Sequence, residues 1–594
     1  MLKTYEPTWD LDVIFPGGSE SEDFHTYIET VEHEVNNLSE NVDNFIPANG
    51  AAEASKLEHI VEQLERTMKN LRETSAFISC LSAQNVKDEK ASLLVGKRSE
   101  LKAEMDAVKT NLEQKFVSFD DTTWEDMLNL PNLKDVSYVL NENREKAKER
   151  LSADQEVLMN DLAIDGYHAW SQMYDTIVGN MSVNIEENGD VKSYSVGQAS
   201  NKLTSPDRSV RKHVFEQLGK AWSDNANLFG QTLNHLAGFR LQTYKHRNWD
   251  QVLQEPLAIN RMKKETLDAM WNAISANKQP FVAFLQKKAN VLGLEKLSMY
   301  DIGAPLTHSV KKSSYTEGAD FIVDNFRKFS PKMADFAQMA FENRWIEAED
   351  RAGKRPGGFC TSFPDSEQTR IFMTYSGTSS NIATLAHELG HAYHQHVMNN
   401  VNGLNQGYAM NVAETASTFA EMIVADASVK KAQTKEEKLN VLEDKIQRSV
   451  AFFMNIHARF LFEQRFYEER KLGQVSVDRL NDLMVEAQKE AYCDAVRDYD
   501  PNFWASKLHF HITGVPFYNF PYTFGYLFSL GIYAHALEQD DSFEDSYIAL
   551  LRDTGRMTVE ELAEKHLGVD LTKADFWENA IQLCVNDVEE FLSL

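Results

Sequence analysis

"TLAHELGHAYHQH", residues 384–396, packs four histidines and one glutamate into thirteen positions. Within it, His387-Glu388-Leu389-Gly390-His391 fits the pattern HExxH. A helix turns once in 3.6 residues, so side chains four apart share a face and two imidazoles there reach one ion. Zinc favours nitrogen ligands and tetrahedral geometry, and a catalytic zinc keeps one position open. Glu388 follows the first histidine and is rotated off the ligand face, where a general base for a metal-activated water belongs. The bland alternative is a polar His/Glu face on a solvated helix.

The flanks favour the metal reading. "RIFMTYSGT" (370–378) is rich in β-branched and aromatic residues and stops at a glycine, as a strand does. A helix over "SSNIATLAHELGHAYHQHVM" follows, with Ser379, Ser380 or Asn381 placed to cap it. A strand beside such a helix can pair with an extended peptide, so Met373, Thr374 and Tyr375 are expected to bind substrate. Before the strand, "DRAGKRPGGFCTSF" is a loop. Gly357 and Gly358 suit either a tight turn or a mobile cover over the site. Downstream, "NVAETASTFAEMI" offers Glu414 and Glu421, seven residues apart and on one helix face. Glu414 is the expected third ligand. Glu421 is expected to orient a ligand histidine from behind. His394 and His396 are expected to support the site or lie on the surface.

Away from the motif, the first third of the chain reads as helices. Leu57, Ile60, Val61, Leu64, Met68 and Leu71 form one apolar stripe, and Leu101, Met105, Val108 and Leu112 another. "MSVNIEENGDVKSYSV" (181–196) alternates apolar and polar residues around Asn188-Gly189 and predicts a short hairpin. Helices resume at "SPDRSVRKHVFEQL", with Ser205 as cap and Pro206 in the first turn. The expected division is a helical hairpin region over 1–114, a helical segment with the hairpin over 115–200, and a catalytic domain over 201–594.

Composition sets outer limits. The net charge of −29 over 594 residues repels phosphate backbones, which argues against nucleic acid. The four cysteines are far apart and form no CxxC pair, and Cys360 reads as a small buried thiol. The N-terminus has no apolar core of signal-peptide length, and no run of about 18 apolar residues occurs. A cytoplasmic enzyme with no membrane contact is expected. The sequence carries no signature of an oligomeric state.

Taken together, "GGFC", "MTYSGT", "TLAHELGHAYH" and "VAETASTFAE" resemble the oligoendopeptidase F family of zinc metallopeptidases, related to thimet oligopeptidase. "TWDLDVIFPGG" and "MYDIGAPL" are similar to family segments too, so the resemblance runs nearly end to end. It implies one zinc ion per chain on His387, His391 and Glu414, with Glu388 as base. It also implies a mainly α, multi-helix, zincin-type body with few short strands beside the active-site helix. A deep channel in that body would admit short oligopeptides. Members of the wider family carry a histidine and tyrosines near the C-terminus to stabilise the oxyanion. "KLHFHITGVPFYNFPYTFGYLF" (507–528) matches, and His511, Tyr518 and Tyr522 are the expected donors, with His509 the competing histidine. The expected activity is cleavage of internal peptide bonds. The rivals are a dipeptide-releasing exopeptidase and a non-catalytic peptide-binding protein; the intact motif argues against the second.

Overall fold

The computed structural model describes residues 4–48, 51–187, 189–306, 312–538 and 543–594. The predicted stripes are on helices. Glu22–Asn44, Ala51–Gln84 and Glu89–Val117 are long helices whose apolar faces meet. Leu57, Ile60, Val61, Leu64 and Leu71 are buried, as are Leu101, Met105, Val108 and Leu112; Met68 is half-buried at their margin. Short polar side chains begin these helices: Ser21 Oγ accepts from the Phe24 amide and Asp88 Oδ1 from the Ala91 amide.

Two apolar cores result. The first runs from Trp9 to Leu140 and takes in Phe363, Phe372 and Leu404 from later in the chain. Residue 114 is therefore not a boundary between cores. Phe116 and Phe119 pack on Trp124 beyond it, and Arg144 donates to the carbonyls of both phenylalanines. The second core gathers most of the buried side chains from Tyr174 to Phe591.

The predicted hairpin is β1 (Val183–Glu187) and β2 (Asp190–Tyr194), antiparallel from Val183 opposite Tyr194 to Glu187 opposite Asp190. Gly189 has φ +87°, the left-handed value such a turn needs; Asn188 lies outside the described residues. The next helix is Arg208–Asp224, and Asp207 caps it rather than Ser205. Asp207 Oδ1 accepts from the Ser209 amide, while Ser205 Oγ is spent on the Asp207 amide.

A second sheet carries the site. Its strands are β3 (Ile346–Glu347), β4 (Phe359–Phe363) and β5 (Gln368–Phe372), in the order β3-β5-β4. β5 runs parallel to β3 and antiparallel to β4. Alternation along β5 joins the two cores: Phe372 belongs to the N-terminal core, and Ile371 and Met373 to the larger one. The sheet is thus the seam of the molecule, and the motif helix Ser379–Val397 packs directly on β4 and β5.

Candidate active site and metal centre

The turn into the motif helix is made by Gly377, at φ +88°. Thr378 is the last extended residue, and its Oγ1 accepts from the Asn381 amide at 3.2 Å. Thr378 is therefore the cap, in place of the three residues after it. Asn381 Oδ1 turns back to the Thr378 amide at 3.4 Å, closing a capping box, and also accepts from the Ser376 amide at 2.9 Å.

Four residues apart, His387 and His391 emerge on one face with ring centroids 4.9 Å apart. Between them, Gly390 meets the helix Thr415–Lys431. A Cβ there would stand 2.4 Å from Ala416 O and 2.5 Å from Ser417 Cα, both main-chain atoms. Only glycine permits so close a crossing, and the crossing brings Glu414 to the histidines. Glu414 Oε2 lies 3.3 Å from His387 Nε2 and 3.6 Å from His391 Nε2. One nitrogen from each histidine and one Glu414 oxygen all fall within 4.8 Å of one another. Two imidazoles and a carboxylate are a donor set that zinc accepts, with a fourth position left over.

Supporting groups stand behind this triad. Glu421 Oε2 lies 3.2 Å from His387 Nδ1, and the other Glu421 oxygen is paired with Arg448. That contact puts the His387 proton on Nδ1 and frees Nε2 as a ligand. Ser417 Oγ donates to Glu414 Oε2 at 2.7 Å. Burial pushes Glu414 upward, but His387 and His391 outweigh it and hold the carboxyl at about 2. Burial lowers His391 to about 4, so its imidazole is neutral at neutral pH, as a ligand must be.

Glu388 is 8% exposed, and its Oε2 has no hydrogen-bond partner in the protein. Burial raises its carboxyl to about 7, with His387 pulling the other way. A buried carboxylate oxygen without a partner is poised for something the protein does not itself supply. It faces a cavity of about 890 Å³, whose wall includes His387, Glu414, Glu421, Arg448 and Tyr522.

The C-terminal donors fall into two groups. Tyr518 and Tyr522 lie with ring centroids 5.7 Å apart, and His509 stands 5.6 Å from Tyr518 and 6.4 Å from Tyr522. His511 is not brought to them. It is completely buried, stacks on Tyr174 at 4.1 Å and reaches Thr232 Oγ1 at 3.4 Å. Leu508–His511 is a 3-10 turn, in which residues two apart point about 240° apart. One histidine therefore takes the tyrosine side and the other the core. Nothing in the spacing alone says which.

The residues expected to hold substrate are also divided. β5 is the middle strand. The amides of Ile371, Met373 and Tyr375 are spent on Trp345, Glu347 and Ala348, and Tyr375 Oη donates to the Ser313 and Ser314 carbonyls. Met373 and Tyr375 are buried and Thr374 is exposed. The outer strand is β4, entered through exposed Gly357, at φ +93°, and Gly358. A Cβ on Gly358 would stand 3.5 Å from Glu388 Oε1, so the start of β4 passes the carboxylate closely. The remaining motif histidines are structural. His394 is buried against Leu551 O and Thr554 Oγ1 and stacks on Tyr408, and His396 packs on Phe336.

Residues 202–583 match the model of peptidase family M3, and residues 115–182 match that of oligopeptidase F. The chain is 24% identical to an oligoendopeptidase F homolog of Lactococcus lactis subsp. lactis, covering 100% of this chain and 98% of the relative. It is 22% identical to the oligopeptidase PepF of Bacillus subtilis, covering 99% and 87%. The fold superposes on a solved Chlamydophila abortus protein with TM-score 0.82 at 18% identity, covering 99% and 98% of the two chains. It superposes on the oligoendopeptidase-F of Enterococcus faecium with TM-score 0.69 at 19% identity, covering 97% and 99%. With the family match spanning the motif helix, the Glu414 helix and the tyrosine cluster, the chain belongs to peptidase family M3 and is a metalloendopeptidase.

Proposed function

We propose that the protein is a zinc-dependent endopeptidase that cleaves internal bonds of short oligopeptides. The observation that carries this reading is the convergence of His387, His391 and Glu414 beside the unpartnered Glu388 oxygen, on the wall of a large cavity. Zinc held by those three side chains would act as a Lewis acid on the scissile carbonyl and would lower the pKa of a bound water.

The remaining chemistry belongs to the chain. Glu388 takes the proton of the attacking water and hands it to the leaving nitrogen; a carboxyl raised toward neutrality does both. Tyr518, Tyr522 and His509 donate toward the oxygen on which charge develops. Burial, then Arg459 and Lys507, lowers His509 to about 4, so it donates as a neutral imidazole. Substrate main chain pairs with the edge of β4 from Gly358 onward, since β5 is already paired on both sides. The occupant is an oligopeptide rather than nucleic acid or membrane. No described helix is long and apolar enough to cross a bilayer. We place the reaction in the cytoplasm, where the four free cysteines suit a reducing compartment.

The test is cleavage of an internally quenched peptide blocked at both ends, by wild type and by Glu388→Gln. Internal cleavage by wild type, with the variant near silent while still holding one zinc per chain, is expected. Cleavage only of peptides with a free terminus would favour the exopeptidase instead. Peptide binding without cleavage would favour a non-catalytic role.

A further inference from the structure

A buried polar network outside the reactive centre has its main-chain contacts concentrated on one short segment. Arg240 lies on the helix Ala226–His246 and is 3% exposed. It donates to Tyr167 Oη from Nε at 3.0 Å and from Nη2 at 2.6 Å, and to Tyr467 Oη from Nη1. Arg240 Nη2 also donates to the carbonyl of Ile512 at 3.2 Å. Tyr167 Oη, so oriented, donates to the carbonyl of Thr513 at 3.0 Å, and His168 Nδ1 lies 2.8 Å from Thr513 Oγ1.

The other end of the same segment is held as well. Glu463, 3% exposed, accepts from Asn519 Nδ2 at 3.5 Å, and the Phe517 amide helps to offset the burial of its carboxyl. Phe517 has φ +53°, a left-handed conformation unusual for a large side chain, and its ring stacks on Tyr467 at 5.6 Å. Tyr167 and His168 themselves come from a π-helical turn, Ile164–His168, inserted between two α-helices. Such turns inside α-helices are frequent at functional sites.

The main-chain atoms gripped, Ile512 O and Thr513 O, lie between His509 and Tyr518, as does Phe517 with its ring on Tyr467. We infer that Tyr167 and Arg240 act as positioning residues, a latch that fixes the 512–517 segment so that Tyr518 and His509 point at the reacting carbonyl. The inference rests on the donor role proposed above for those two side chains. Neither Tyr167 nor Arg240 lines the cavity at the triad. A purely structural network would add to stability without reference to the tyrosine, whereas a latch acts only through what it positions.

A double-mutant cycle separates the two. Steady-state kinetics on the doubly blocked peptide are measured for wild type, Tyr167→Phe, Tyr518→Phe and the pair, with Tm for each. Misplacing one oxyanion donor should cost about tenfold in kcat, less than its removal, with KM within about twofold. In the Tyr518→Phe background the same change should cost clearly less, about threefold or below, because only His509 is left for the latch to position. Equal losses in both backgrounds, or no loss of kcat from Tyr167→Phe, would overturn the latch. If Tyr518→Phe alone leaves kcat intact, the donor role fails first and the latch falls with it. Should Tyr167→Phe not fold, Arg240→Lys, which keeps the charge but loses the forked contacts to Tyr167 and the Ile512 carbonyl, is run through the same cycle.

Discussion

Gly390 lies against Ser417 so closely that a single methyl group would stand 2.5 Å from the Ser417 Cα. The spacing of the histidines puts two candidate ligands on one helix; this contact brings that helix to the third, Glu414. Gly390→Ala must push two main chains apart, because the nearest atoms are not ends of flexible side chains. Overpacking of this kind costs about 1–3 kcal/mol. The variant is expected to have a lower Tm and to retain less zinc after dialysis, measured by atomic absorption.

His509 and His511 should part company under mutation. His509→Ala removes a donor beside Tyr518 and is expected to lower kcat by about 10²-fold with little change in Tm. His511→Ala leaves a hole beside Tyr174 and Phe229, so its effect should be on stability, about 1–3 kcal/mol, with kcat of the folded protein nearly unchanged. Thermal melts and steady-state kinetics on both variants check this; the reverse pattern would return the donor role to His511.

Glu421 touches His387 and is not itself one of the three clustered donors. Glu421→Gln keeps the shape but weakens its hold on His387 Nδ1 and unbalances Arg448. Loss of such a supporting partner typically costs about 10- to 100-fold in metal affinity. Competition with a chelator of known affinity should show that shift, and activity at saturating zinc should recover most of the wild-type value.

Acid should weaken the corner built on Asp553. Burial pushes its carboxyl up, but His566, Lys565 and Arg556 outweigh burial and hold it well below the usual range. Since the folded pKa is the lower one, the stabilisation is complete above the unfolded value of about 4 and is lost as pH falls below it. Arg556 also pairs with Asp135, so the loss reaches the N-terminal helices. Urea unfolding from neutral pH downward should show a steeper decline below about pH 4 in wild type than in Asp553→Asn. Equal slopes would remove the assignment.

Helix period, capping chemistry and hairpin signals are local properties, and the sequence by itself determined them. Leu57 to Leu71 lie on one face because a helix repeats every 3.6 residues, and Gly189 turns the hairpin because it tolerates positive φ. The HExxH spacing was legible for the same reason: His387 and His391 are one turn apart on one helix face, whereas Glu414 sits at the cap of the next helix, ahead of its regular period.

Choices between near neighbours were decided by tertiary packing. His509 and His511 sit two residues apart in a 3-10 turn, and only the core around Tyr174 determines which is buried. Thr378 outcompeted Ser379 as cap because Gly377 turns the chain one residue earlier. β4 rather than β5 offers its edge because strand order depends on Ile346 and Glu347, which arrive from a separate part of the chain. A pattern in sequence fixes which residues share a face. Which face meets which depends on contacts between segments tens or hundreds of residues apart, and those form only when the chain closes on itself.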